Sequence, residues 1–315
     1  MKCAVIREVG LRDGLQMVAA KLSTQHKLEW IDDAVAAGFH EIEVTSFVPH
    51  RTFPNFADAT EVADAALKIP ELTPSALVLN LRGAQDAFRS GLRRVSYVIS
   101  ASEAHSRANA RRTTDEALLE FGHIVALRDE LGLEDDVALS CGIATAFGCS
   151  LQGDVPLDRV IEISVQLARF GASEIMLADT VGYAFPGQVE RAFDTLQPRL
   201  PGVALSAHFH DTRGLGLANV AAALRTGIRR FDASIGGLGG CPYAPGATGN
   251  VNVEDAVFLL ESEGFATGID IDRLLELRRK VESWLPDERF SGSIARAGLP
   301  INASVLKEQA QRDTA

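Results

Sequence analysis

An α/β barrel is the fold this sequence predicts: eight parallel strands, each followed by a helix, closed into a single (β/α)8 TIM barrel with a C-terminal helical extension. Three observations carry that expectation. Eight short apolar, β-branched runs alternate with amphipathic helical patterns, at spacings of about 30 to 40 residues. Several helical patterns end at a glycine just before the next apolar run, at Gly38, Gly91, Gly171 and Gly227. No Gly-x-Gly-x-x-Gly follows the first run, which makes a doubly wound open sheet the weaker reading. The barrel domain is expected over 1–286 and the extension over 287–315.

The elements follow in order. The first apolar run, 4–9, gives a strand. Ser23 then opens a helix as its N-cap, with Leu28, Ile31, Ala34 and Val35 on one face and Gly38 past its end. Strands are predicted at 41–47, 75–80, 95–100 and 137–144, separated by helices at 57–67, 84–90 and 114–131. The second half repeats the scheme. Strands fall at 174–178, 203–208 and 231–235, and helices at 157–170, 187–197, 215–226 and 253–263. A last helix, 272–284, comes after the eighth unit.

Composition narrows the function. The hydrophobic share of 46% supports a large core, and charged residues at 23% are ordinary for a soluble chain of 315 residues. A net charge of −11 argues against nucleic acid or an anionic membrane as partner, since no phosphate-neutralising surplus exists. A local basic pocket for an anionic substrate remains compatible with it. No apolar run reaches about 18 residues and no signal-peptide pattern opens the sequence. Cys3, Cys141, Cys149 and Cys241 do not form a disulfide scaffold in so long a chain, and Cys141 and Cys149 read as packing residues. The expected setting is reduced and cytoplasmic, as a monomer or a homo-oligomer.

A barrel builds its active site at the C-terminal ends of its strands. His208-Phe209-His210 closes the seventh run, and residues i and i+2 of a strand share a face. The two imidazoles can therefore share a divalent metal with oxygen ligands from elsewhere, or pack in a polar rim without one. Other strand ends are equally polar. Glu8 to Gln16 after the first strand contains Arg12 and Asp13; the second carries Glu43, Thr45 and Ser46; the fifth leads to Ser140 and Cys141; the sixth to Asp179 and Thr180. The eighth runs into a glycine-rich segment holding Cys241 and ending at Asn250. Such a concentration of acids, imidazoles, a guanidinium and a thiol favours a catalytic mouth.

These segments carry a resemblance. Arg12-Asp13-Gly14 together with His208-x-His210-Asp211 is similar to the DRE-TIM metallolyase superfamily. Val9 to Gln16, Ile42 to Val48 and the stretch Gly237-Leu238-Gly239-Gly240-Cys241-Pro242-Tyr243 resemble the 3-hydroxy-3-methylglutaryl-CoA lyase family in particular. The resemblance implies that Asp13, His208, His210 and Asn250 hold one Mg²⁺ or Mn²⁺. It implies that Arg12 faces the oxygen that becomes an enolate, and that Cys241 protonates carbon from a mobile loop. His208 or the neighbourhood of Asp13 is the implied base, with Glu43 and Asp179 as supporting acids that orient Arg12 and the ligands. Gln16, Ser46 and Asn109 are assigned to binding the acyl-CoA substrate. Cleavage of a 3-hydroxyacyl thioester to a keto acid and acetyl-CoA is the implied reaction.

The family pattern is broken in places. Met17-Val18-Ala19 stands where polar and cationic residues are usual, and Gly148 to Gly153 and Arg213 also depart from it. Pro245 replaces a usual Gln in the cysteine segment. These changes bear on the acyl group rather than on carbon–carbon cleavage. A different 3-hydroxyacyl-CoA is therefore an alternative substrate. A condensing acyltransferase like isopropylmalate synthase shares the Arg-Asp-Gly and His-x-His, but usually adds a regulatory domain for which 287–315 leaves no room. A metal-binding barrel without catalysis is a third reading, and every expected ligand being retained argues against it. Arg213 is expected either to meet a substrate carboxylate or to stand solvated at a helix start.

Overall fold

The computed structural model describes residues 2–240 and 249–300. Eight strands close in chain order into an all-parallel barrel: β1 (Val5–Glu8), β2 (Glu41–Phe47), β3 (Thr73–Val78), β4 (Arg94–Ser100), β5 (Ala138–Ala144), β6 (Glu174–Asp179), β7 (Ala204–Phe209) and β8 (Arg230–Ala233). β8 pairs back onto β1 through Val5 with Arg230, Ile6 with Phe231, Arg7 with Asp232 and Glu8 with Ala233. The barrel expected from the sequence is the barrel observed.

The helices form for local reasons that the sequence displays. Ser23 caps α1 (Thr24–Ala36) by accepting from the His26 amide. Asn80 caps α3 (Leu81–Arg89), which follows α2 (Ala59–Ala66). α3 starts earlier than its apolar period suggests, because Asn80 accepts from the Gly83 amide and Glu120 from the Leu81 amide. Thr113 and Glu116 form a reciprocal capping box on α5 (Thr114–Glu130). α6 (Leu157–Phe170) stops at Gly171, whose φ of 104° is a left-handed C-cap that side chains resist. α7 (Pro186–Leu196), α8 (Gly216–Arg225) and α9 (Val253–Ser262) complete the ring. Trp30, Phe121, Phe193 and Phe231 are among the largest fully buried side chains. They help fill the layer between strands and helices.

Two features were not foreseen. A short helix, α4 (Glu103–Ala110), leaves β4. Its residues are small or polar, so no apolar period announces it; the Ser102 hydroxyl, accepting from the His105 amide, fixes its start. Outside the barrel, Lys2–Cys3 pairs in parallel with Phe265–Ala266. α10 (Ile271–Trp284) then lies against α1, with Lys280 donating to Glu29 and Asp33. The chain after it returns to the barrel rim, where Ser291 donates its amide to the Gly236 carbonyl and Ser293 and Ile294 donate theirs to Asp255. Among the described residues no helix is long and apolar enough to cross a membrane.

Candidate active site and metal centre

Backbone geometry at three strand ends brings the polar residues together. β1 runs straight into one wide helical turn, Gly10–Gly14, in which the Asp13 and Gly14 amides both donate to the Val9 carbonyl. The turn holds Arg12 and Asp13 at the rim. β7 delivers His208 on its inner face, and His210 lies just beyond its end. Residues 249–251 run back along that end: Asp211 donates to the Gly249 carbonyl, and Val251 to the Phe209 carbonyl. Asn250 is thereby set opposite His210. A side chain at Gly249 would put its Cβ 1.9 Å from the Gly237 carbonyl oxygen, so only glycine allows this approach.

Asp13, His208 and His210 offer one ligand atom each, all within 4.8 Å of one another. Nε2 of His210 stands 3.1 Å from Nε2 of His208 and 3.9 Å from Oδ2 of Asp13. The Asn250 amide nitrogen donates to Asp13 Oδ2 at 2.7 Å and to the Leu238 carbonyl at 3.0 Å, leaving its buried Oδ1 without a partner. His208 Nδ1 lies 3.3 Å from Asp232 Oδ2, where it donates, and a neutral ring held that way carries its lone pair on Nε2. Two facing ring nitrogens need a proton or a cation between them. A carboxylate, two imidazoles and an orphaned amide oxygen are a donor set that fits a hard divalent cation.

Electrostatics agree with that fit. Burial alone would push the Asp13 carboxyl up, but Arg12, His208 and His210 outweigh it and hold it at about 2. Burial and the neighbouring His208 lower His210 to about 4, keeping it neutral as a ligand must be. For His208, burial is outweighed by the Asp232 hydrogen bond and the Asp13 charge, and its basicity rises.

Arg12 is fully committed on one side. Its Nε donates to Glu43 Oε2 and its Nη1 to Asp13 Oδ1, the latter at 2.6 Å. Glu43 Oε1 in turn accepts from the Ser96 hydroxyl, so the acid is held at both oxygens. Burial would depress the guanidinium, yet Glu43 and Asp13 more than offset it and raise it further. All of these groups line one cavity of about 470 Å³, together with Gln16 and Asn109.

Other expected site residues lie elsewhere. Both oxygens of Asp179 accept backbone amides, from Tyr183 at 2.7 Å and Ala184 at 3.1 Å. Burial pushes its carboxyl up to about 6 despite those bonds. It anchors the segment after β6, and its charge reaches His208 from there. The Ser46 hydroxyl donates to the Leu77 carbonyl within the barrel wall, and Ser46 borders a neighbouring groove. Arg213 is exposed, as the solvated reading expected, and does not line the cavity: its Nη1 donates to the Val181 and Gly182 carbonyls, and its guanidinium lies 4.4 Å over the Tyr183 ring. Those carbonyls and the ring face are the nearer partners. Cys241 lies outside the described residues. Cys141 and Cys149 are fully buried, and burial pushes the Cys141 thiol up.

Sequence reasoning missed several residues of this cavity. His105 is 3% exposed and lines it, its Nδ1 on the Ser100 hydroxyl at 3.0 Å. Ser100 continues to Thr145 at 2.9 Å, a non-glycine residue held at a φ of 57°. Arg7, Glu174 and Asp232 form the cavity floor. The available signal was a charged residue inside an apolar strand run.

Comparison with known proteins places the chain in a family. The family model described as HMGL-like matches residues 4–281. The chain belongs to the HMGL-like family. It is similar to the hydroxymethylglutaryl-CoA lyase YngG of Bacillus subtilis, 40% identical over 281 residues, which covers 89% of this chain and 93% of that one. It is similar to the (R)-citramalyl-CoA lyase of Chloroflexus aurantiacus, 41% identical over 285 residues, covering 87% and 89%. Among solved structures, an HMG-CoA lyase from Acinetobacter baumannii in complex with coenzyme A and 3-methylmalate superposes with a TM-score of 0.88. It is 36% identical, over 95% of this chain and 96% of that one. The family reached through the motifs around Arg12, His208 and Cys241 is therefore the family observed.

Proposed function

We propose that this family member is a divalent-metal-dependent carbon–carbon lyase that cleaves 3-hydroxy-3-methylglutaryl-CoA to acetoacetate and acetyl-CoA. The observation that carries the reading is the meeting of Asp13, His208, His210 and the orphaned Asn250 oxygen beside the buried Arg12 guanidinium. Relatives that share most of the chain's length bear the same activity in their names.

Asp13, His208, His210 and Asn250 would hold Mg²⁺ or Mn²⁺, which when bound lowers the pKa of a substrate hydroxyl and carries its negative charge. His208 offers a single open nitrogen, because Nδ1 is committed to Asp232. Ligation and proton removal at Nε2 are therefore alternatives for it at any instant. Once the hydroxyl proton has left, the C2–C3 bond breaks. The carbinol oxygen becomes the ketone of acetoacetate, and the bonding pair goes to C2 as a thioester enolate. Arg12, aimed by Glu43, donates to the enolate oxygen where charge develops. C2 then takes a proton, a role the sequence motif gives to Cys241. Gln16 and Asn109 border the cavity, where they contact the acyl-CoA in this reading.

Purified protein loaded with Mg²⁺ or Mn²⁺ should release acetoacetate and acetyl-CoA in equal amounts from hydroxymethylglutaryl-CoA. The assay should include citramalyl-CoA, whose carboxylate lies one methylene closer to the carbinol. A single methylene is worth about 10–200-fold in discrimination. Faster turnover of citramalyl-CoA would reassign the substrate, and condensation of acetyl-CoA with a keto acid without cleavage would reject the lyase reading.

A further inference from the structure

The barrel register sets three charged or imidazole side chains in one row below the rim. β7 pairs with β8 through His208 and Asp232, and β8 with β1 through Asp232 and Arg7. Neighbouring strands stand about 4.8 Å apart, so their inward side chains touch along the row. Asp232 Oδ1 accepts from Arg7 Nε at 3.0 Å, and its Oδ2 accepts from His208 Nδ1 at 3.3 Å. Arg7 does not hold Asp232 alone. Its Nη2 donates to Glu174, whose two oxygens also accept from the Ser206 hydroxyl at 2.7 Å and from Arg230 Nε at 3.1 Å. Arg230 continues to Glu41 at 2.5 Å. Arg7, Glu174, Asp232 and His208 are each at most 7% exposed.

We propose that Arg7 and Asp232 are a positioning arm for His208: Asp232 fixes the tautomer with hydrogen on Nδ1 and aims Nε2 at Asp13 and His210, while Arg7 fixes Asp232. An imidazole can turn about its Cβ–Cγ bond and move its proton between nitrogens. Either event would point an N–H at the ligand position. An acceptor on Nδ1 prevents both. A carboxylate without Arg7 would be free to leave the ring or to take a proton itself. With Arg7 on its other oxygen it keeps its place and its charge. The row is rooted in the strand backbone rather than in a loop, so the aim holds before any ligand arrives. Arg7 and Asp232 touch no substrate in this role; they act through His208.

The inference rests on the metal-site reading of His208, and its test separates the two. Histidine labelled with ¹⁵N, recorded in metal-free protein at a pH where the ring is neutral, should show the His208 ring, identified by its loss in His208→Gln, with hydrogen on Nδ1 and none on Nε2. Asp232→Asn offers an amide of the same shape that can turn a donor to Nδ1. It should shift His208 toward the Nε2–H form and weaken Mn²⁺ binding, read by the electron paramagnetic resonance of free Mn²⁺, by about 10–100-fold. Asp232→Glu should recover part of that affinity. Arg7→Met should weaken Mn²⁺ binding in the same direction with a mixed tautomer. A neutral wild-type ring with hydrogen on Nε2 and none on Nδ1 overturns the arm, and that measurement does not need any variant to fold. So does an Asp232→Asn protein with wild-type circular dichroism and wild-type Mn²⁺ affinity. Wild-type protein that binds no Mn²⁺ would instead remove the metal reading, and the tautomer would still decide the arm.

Discussion

Arg12→Lys separates the geometry of a guanidinium from its charge. Arg12 places Nε on Glu43 and Nη1 on Asp13 while bordering the cavity, so three stations are served by one rigid fork. Lysine brings a single nitrogen. If the ammonium stays between the two carboxylates, the enolate loses its donor altogether. If it turns to the substrate, Glu43 and Asp13 lose their clamp. Loss of one such donor lowers kcat by about 10²–10³, equivalent to about 2.7–4 kcal/mol of transition-state stabilisation. Folding should suffer less, because the positive charge stays beside both acids and neither becomes an uncompensated buried anion. The variant should therefore show a melting temperature only a few degrees lower, Mn²⁺ affinity close to that of the wild type, and kcat reduced by about two to three orders of magnitude. All three are measured on one metal-loaded preparation. A kcat within a few-fold of wild type would refute the enolate role and leave Arg12 as a structural counter-ion.

Two further perturbations test a buried acid and a thiol. Glu8 is fully buried; its Oε1 accepts from the Gly10 and Ile235 amides, its Oε2 has no partner, and burial pushes its carboxyl up to about 8. An acid with a raised folded pKa contributes stability that is complete below its unfolded value near 4.5 and is lost as pH climbs to about 8. Glu8→Gln should flatten the fall in melting temperature between pH 5 and 8 attributed to that proton, and parallel curves for the two proteins would contradict the buried neutral acid. Cys241→Ser should keep its melting temperature within a few degrees and its metal affinity, yet lose most cleavage activity. A destabilised but fully active variant would return that thiol to a packing role.

The fold was legible because each βα unit announces itself. Ser23, Leu28, Ile31 and Gly38 mark one helix from cap to stop without reference to the rest of the chain. The strand ends carrying Asp13, His208 and His210 were equally local, since a two-residue alternation fixes which side chains share a face. What the sequence withheld is register. Arg7 meets Glu174 across 167 residues and Asp232 across 225, and no short-range pattern encodes which residue of one strand lies beside which of another. His105 was missed for another reason. Helix α4 owes its start to the Ser102 cap rather than to an apolar period, and without that helix His105 had no reason to be inside. The hydrogen-bond partners of Asp179 left no mark in the sequence, because they are backbone amides, which every residue supplies.

The charged floor itself argues that the site shaped this barrel. Barrel interiors of this fold are ordinarily filled by layers of branched apolar side chains. Replacing a buried ion pair by apolar residues of similar volume is often neutral or stabilising, by about 1–4 kcal/mol. A version with Val or Ile at positions 7, 174 and 232 would lose little packing from the Arg7–Asp232 pair itself, though Ser206 and Arg230 would give up their bonds to Glu174. It would also leave His208 with no acceptor on Nδ1 and no reason to present Nε2 to Asp13. Ser96 on Glu43 and Glu43 on Arg12 repeat the same logic one strand pair away: an interior polar group whose packing value is low holds a rim group whose orientation matters. The two chains of contacts, one ending at the imidazole pair and one at the guanidinium, converge at Asp13, which touches Arg12 directly and sits beside His210. A single carboxylate thus fixes the distance between the ligand set and the donor that meets the enolate, so displacing Asp13 should disturb both functions together.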